Sequence, residues 1–267
     1  LIDVGMPVQH FNVAYNCRVV FYNKKIILIR PKMMMCDDGN YRETRWFSAW
    51  TKIRTIEDFY LPRILASATG QHTVPFGDAV VSTRETCIGF EICEELWNPR
   101  STHIDLSLAG VEIMVNGSGS YIQLRKAYIT TDLIRNASYK AGGCYMFSNL
   151  RGCDGQRVWW GGNSAIALNG DIIARSKQFS LSDVEVTVAT VDLEDIRSYR
   201  MALRSRCTLG ASAPLYPRIN IDCELSSRGD IFISAHSPMQ WIYHTPEEEI
   251  ALAPACWLWD YLRRSGQ

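Results

Sequence analysis

GVEIMVNGSGSYIQLRKAYITTDLIRNASYKAGGCYMFSN, residues 110–149, passes from a strand pattern to a helix pattern and back. Gly110-Val111-Glu112-Ile113-Met114-Val115-Asn116 is a short apolar run closed by Gly117-Ser118-Gly119-Ser120, as expected of a buried strand. From Leu124 to Tyr139 the positions Leu124, Ala127, Tyr128, Thr131, Ile134 and Ala137 recur at a spacing of three to four, which predicts a helix. Gly142-Gly143 stops it, and Cys144-Tyr145-Met146-Phe147-Ser148-Asn149 reads as the next strand.

The same alternation of element types extends in both directions. Upstream, Arg18–Tyr22 and Ile26–Arg30 flank the tight turn Asn23-Lys24-Lys25, and Ala79-Val80-Val81 pairs with Thr86–Ile92. Downstream, Ala165–Leu168 and Asp171–Ala174 flank Asn169-Gly170, a dipeptide suited to the type I′ turn of a hairpin. Glu185 to Asp192 alternates apolar and polar residues and predicts a further strand, and Leu193–Arg200 a short helix. Strands interleaved with helices and hairpins define an α/β class with mixed pairing. From about Arg204 the pattern weakens. Pro214, Pro217, Pro238, Pro246 and Pro254 punctuate what reads as an arm or linker, ending in an apolar helix start at Ala255–Arg264 with nothing after it to pack on.

Bulk composition narrows the function classes. The 267 residues are 47% hydrophobic and 21% charged, enough for a sizeable core. Lys plus Arg and Asp plus Glu balance at 28 each, which argues against nucleic acid or an anionic membrane as main partner. No apolar run reaches the ~20 residues of a membrane-spanning helix. The start, Leu1-Ile2-Asp3-Val4-Gly5-Met6, has neither initiator Met nor signal-peptide features, so a fragment or processed product is expected. Nine scattered cysteines without a C-x-x-C predict free thiols in a reducing compartment, hence the cytoplasm. Five histidines lack metal-ligand spacing, so no metal is expected.

Cys93 is the first candidate for chemistry. It follows the strand Thr86–Ile92 and precedes a helical turn, Glu94-Glu95-Leu96-Trp97, where backbone N–H groups can lower a thiol pKa and hold an oxyanion. The plain alternative is a buried structural cysteine. Lys32 ends the strand Ile26–Arg30; it is either a solvated strand-end lysine or a cation that stabilises a neighbouring thiolate. Gly39-Asn40-Tyr41-Arg42-Glu43 is a turn rich in charge, and Asn116–Ser120 is a loop able to offer backbone donors. Asn116-Gly117-Ser118-Gly119-Ser120 is not a G-x-S-x-G elbow, and neither a Walker A nor a G-x-G-x-x-G motif occurs.

Arg30-Pro31-Lys32, Gly39–Phe47, Val74-Pro75-Phe76-Gly77-Asp78-Ala79 and Glu91-Ile92-Cys93-Glu94-Glu95-Leu96-Trp97 resemble, in order, the amidase half of eukaryotic glutamine-dependent NAD⁺ synthetases. The likeness runs on through Asn116–Ser120, Gly152–Gly155, Gln178–Leu181, Asp192–Arg200 and Pro246–Ile250. The resemblance implies a nitrilase-like four-layer α-β-β-α sandwich, incomplete at the N-terminus, with a Glu–Lys–Cys triad. Cys93 matches its nucleophile and Lys32 its lysine. Tyr41, Glu94, Ser118 or Ser120, and Arg125 fall near positions that bind glutamine in that family. The triad glutamate is expected upstream of Leu1; Glu91, Glu94 and Glu95 sit too close to Cys93 in sequence to be assumed substitutes.

The implied organisation is a carbon–nitrogen hydrolase (glutaminase) domain over residues 1–203 and an arm over 204–267. The arm would lead to a synthetase domain, outside this chain, that uses ATP and Mg²⁺; the chain itself is expected to hold no cofactor. Its implied role is release of ammonia from L-glutamine for amidation of deamido-NAD⁺ to NAD⁺, in a homo-oligomer. A piece lacking the triad glutamate is expected to be nearly inactive alone. The alternatives are a non-catalytic oligomer-interaction fragment and a stand-alone amidase or nitrilase.

Overall fold

The computed structural model describes residues 1–226 and 232–266, which form two compact units. Residues 1–117 start the first unit, Ser118–Ala202 the second; the chain re-enters the first at Leu203 and finishes in the second.

The first unit opens with a five-stranded sheet. Its strands are β1 (Ile2–His10), β2 (Val13–Tyr22), β3 (Lys25–Pro31), β4 (Ile56–Tyr60) and, after the short helix α1 (Arg63–Thr69), β5 (Thr73–Gly77). They lie in the order β1-β2-β3-β5-β4. Both hairpins turn through two residues of positive φ, Phe11 and Asn12 (46° and 64°) and Asn23 and Lys24 (47° and 63°), the backbone that matches strand twist. The chain then forms β6 (Val80–Ser82), β7 (Cys87–Ile92), α2 (Glu94–Trp97), α3 (Thr102–Leu108) and β8 (Ile113–Ser118). β7 pairs antiparallel with β6 and parallel with β8, in register from Ile88 opposite Ile113 to Ile92 opposite Gly117.

All six residues of β7 are buried, so the strand is covered on both faces. Ile88 and Phe90 point to a core shared with Val20 and Leu28 of the first sheet. Gly89 and Glu91 point the other way: a Cβ on Gly89 would lie 3.0 Å from Leu106 of α3, and Glu91 bonds His103 of the same helix. Period-2 alternation thus stacks helix, sheet and sheet in this unit. A second core on the far face of the first sheet gathers Cys17, Val19, Ile26, Ile29, Trp50, Val74 and Phe76. Each such side chain stabilises the fold by about 1.5–3 kcal/mol.

The second unit holds α4 (Lys126–Ala141), β9 (Cys144–Asn149), the small hairpin β10 (Arg151–Cys153) and β11 (Trp159–Gly161), the hairpin β12 (Ala165–Leu168) and β13 (Asp171–Arg175), and α5 (Leu193–Ala202). The expected helix is present, shifted two residues, with Ala127, Thr131, Ile134 and Ala137 on its buried face. The Asn169-Gly170 hairpin is present with both residues at positive φ. The strand expected at Glu185–Asp192 is not formed. Val184, Val186 and Val188 are exposed and make no ladder in the described structure.

The last third also differs from expectation. Back in the first unit, α6 (Arg204–Ser212) packs on α3, and β14 (Arg218–Asn220) pairs parallel with β6. In the second unit, α7 (Pro246–Ser265) begins on a full capping box of Thr245 and Glu248 with Pro246 in the first turn. It does have a partner within the chain: Cys256 packs with Cys153 and Trp159, and the Asp260 carboxylate accepts from Trp159 Nε1 at 2.9 Å. No helix among the described residues is long and apolar enough to cross a membrane.

Candidate active site

Cys93 stands where β7 gives way to α2, at φ 45° and ψ −98°. A non-glycine residue with positive φ is costly and persists only where its surroundings hold it. Here the hold is explicit. The Cys93 N–H points at the Gly117 carbonyl (3.1 Å) and Asn116 Oδ1 (3.0 Å), both at the end of β8, and its own carbonyl accepts from Leu96 N–H. Glu94 is the first residue of α2, so its N–H has no acceptor within the helix. Gly117 has no room for a side chain, because a Cβ there would fall 1.6 Å from Arg18 Nη1, and that guanidinium is fixed by the Asp3 carboxylate.

Lys32 follows β3 directly and is 2% exposed, so the solvated alternative is excluded. Its N–H donates to the Asn16 carbonyl (2.7 Å) and its carbonyl accepts from Trp50 N–H (2.9 Å). Nζ donates to Glu43 Oε2 at 2.5 Å. Glu43 is further held by Cys36 N–H (2.8 Å) and Asn16 Nδ2 (2.9 Å). Sequence reading placed Glu43 in a charged turn without giving it a role.

Two links join the Lys32 end to the Cys93 end. Glu95, fully buried, accepts from Met33 N–H through Oε1 (2.7 Å) and from Ile92 N–H through Oε2 (2.7 Å). These are the residues next to Lys32 and Cys93. Arg30 Nη1 also donates to Oε2. The second link is Cys36, whose N–H rests on Glu43 while its thiol faces Glu94 and Cys93. Burial pushes that thiol up to about 12; a backbone bond opposes this, and Glu94 and Cys93 add to it. Burial likewise raises Cys17 and Cys144 to about 12. Cys93 and Cys207 alone are partly exposed among nine cysteines, all free. Only Cys93 of these two stands at a strained strand end.

Tyr41 lies in the loop that ends at Glu43, and its N–H donates to the Asp38 carbonyl. Ser118, Ser120 and Arg125 belong to the second unit. Ser118 Oγ is buried without a hydrogen-bond partner. Ser120 N–H donates to Asn149 Oδ1 (2.8 Å). Arg125 sits at φ 64°, gives its N–H to Glu249 and Nη1 to the His244 carbonyl (2.7 Å), and lies over the Tyr128 ring. Among the described residues no group of three His, Cys, Asp or Glu could hold a metal ion.

The structure thus has a thiol at a strained strand end and a buried, carboxylate-held lysine, with the neighbours of both bonded to one buried glutamate. The carbon–nitrogen hydrolase family model matches residues 1–201, and the chain belongs to that family. It is 71% identical over all 267 residues to a glutamine-dependent NAD(+) synthetase of Drosophila melanogaster, and 55% identical to that of Homo sapiens. The chain spans 34% and 38% of the lengths of those two proteins. Among solved structures it resembles a glutamine-dependent NAD(+) synthetase from Cytophaga hutchinsonii, with a TM-score of 0.59 and 26% identity over 70% of this chain and 29% of that one.

Proposed function

We propose that this chain carries the glutamine-hydrolysing site of a glutamine-dependent NAD⁺ synthetase. The observation that carries the reading is the joint support of Lys32 and Cys93, whose neighbouring backbone N–H groups share one buried carboxylate. The Cys93 thiolate attacks the side-chain amide carbon of L-glutamine. The oxyanion lies between the Lys32 ammonium and the Glu94 N–H, an arrangement whose loss costs roughly 10²–10³-fold in kcat per donor. The C–N bond breaks, ammonia leaves with a proton from an acid group, and water hydrolyses the thioester to glutamate and free thiol. Glu91 and Glu95 are both fully buried and bonded to His103, Arg30 and backbone N–H groups, so neither moves that proton. Tyr41 and Glu94, the candidates within the first unit, bind glutamine in this reading.

Ammonia then amidates deamido-NAD⁺ in a synthetase domain that uses ATP and Mg²⁺ and lies outside residues 1–267. The same reading assigns the protein to a cytoplasmic homo-oligomer; nine free thiols support a reducing compartment. The test is ammonia release from L-glutamine by the full-length gene product and by residues 1–267, each with and without Cys93→Ala. Cys93-dependent release by the full-length protein is expected. Release that survives Cys93→Ala, or no release at all, defeats the reading.

A further inference from the structure

Glu95 occupies an unusual place for a charged side chain. It is the second residue of α2, wholly buried, and its two oxygens reach opposite strands of the sandwich. Oε1 holds Met33 N–H, one residue past Lys32 on the first sheet; Oε2 holds Ile92 N–H, one residue before Cys93 on β7. Those strand ends belong to different sheets and share no ladder bond. The register that normally fixes neighbouring strands is therefore missing between them, and the distance from lysine to thiol needs another ruler.

The ion pair with Arg30 does not account for itself as a stabilising device. Arg30 is 1% exposed, and its Nε and Nη2 are buried without hydrogen-bond partners. Buried pairs often contribute less than apolar residues of the same volume, because two charges must be desolvated. A pair with two orphaned donors is a poor example of stabilisation. What the pair does supply is a counter-charge that opposes the upward push of burial on the Glu95 carboxyl, whose two oxygens take N–H bonds from both sheets.

We propose that Glu95, charge-balanced by Arg30, is a positioning residue that sets the separation of Lys32 from Cys93 by clamping the strand ends that carry them. The inference rests on the glutaminase reading above. It acts through Lys32 and Cys93 and touches no substrate. A displacement of about 1 Å between reacting groups costs on the order of 100-fold in rate, so loss of the clamp reads out in kcat rather than in glutamine KM.

The experiment uses the full-length protein and three forms: wild type, Glu95→Asp, and the double variant Arg30→Met with Glu95→Gln, which removes both charges together. Active sites are counted by mass after iodoacetamide alkylation of Cys93, and kcat is expressed per alkylatable site. The double variant is expected to lose about 100-fold in kcat with KM within threefold of wild type, and Glu95→Asp to lose about tenfold. A merely structural role would lower the number of alkylatable sites and leave kcat per site unchanged, which overturns the proposal. A rise in KM at constant kcat overturns it too. If the double variant does not fold, Glu95→Asp decides alone: a loss of fivefold or more in kcat per site supports the clamp, and a smaller loss rejects it. A wild type without Cys93-dependent ammonia release fails the glutaminase reading itself and is recognised before any variant is compared.

Discussion

Glu43 takes bonds from Lys32 Nζ, Cys36 N–H and Asn16 Nδ2, so three donors from three places fix one carboxylate. Removing either charge leaves the other stranded in a nearly dry site, with side-chain exposures of 2% for Lys32 and 12% for Glu43. Lys32→Ala and Glu43→Ala are each expected to destabilise by about 3–5 kcal/mol, and the double variant by clearly less than their sum. Urea unfolding of the four forms measures this; simple additivity would show that the pair is not coupled. The strand-end placement of Lys32 and Cys93 was legible in the sequence, since apolar runs lead directly into both. Glu43 and Glu95 were not, since nothing in an acid's sequence position says which donor it will meet. Glu43 lies 11 residues from Lys32 across a loop, and Glu95 reaches 62 residues back to Met33.

At the scale of elements, the hairpin of β10 and β11 turns on one side chain. Asp154 Oδ1 accepts from the N–H groups of Gln156, Arg157 and Val158 at 2.8, 3.0 and 3.0 Å. Partial burial works against its charge, but the backbone donors prevail and hold the carboxyl below its ordinary 3.8. A carboxyl lowered in the folded state adds stability that is present above its unfolded value and lost as pH falls through the folded one. Asp154→Ala is therefore expected to lower Tm at pH 7, with the gap to wild type closing as pH drops below 3.8. A gap that persists unchanged at pH 2–3 would mean that the charge is not what holds the turn. Elements that turn on local chemistry, such as the Asn169-Gly170 hairpin, were readable in advance. The strand expected at Glu185–Asp192 did not form, because alternation prepares a segment for a sheet only where another strand offers it a ladder.

Across the whole molecule, the proline-punctuated tail proved to be structure. Pro246 opens α7, Pro254 is carried inside it, and the helix closes over Trp159, Cys153, Ile122 and Phe179 of the second unit. At the helix start the missing donor of Pro246 costs nothing, whereas Pro254 removes a donor from the interior and the helix continues past it. The helix therefore packs into the core of the second unit, and its hold can be tested at one bond. Asp260 is buried and accepts from the Trp159 indole N–H. Asp260→Leu keeps the apolar contact but leaves that donor unsatisfied, a loss of about 1–3 kcal/mol. Ending the chain before Thr245 strips the cover altogether and is expected to speed amide exchange in β10 and β11. If the shortened protein keeps wild-type exchange there, α7 is an appendage and the core of this unit closes without it.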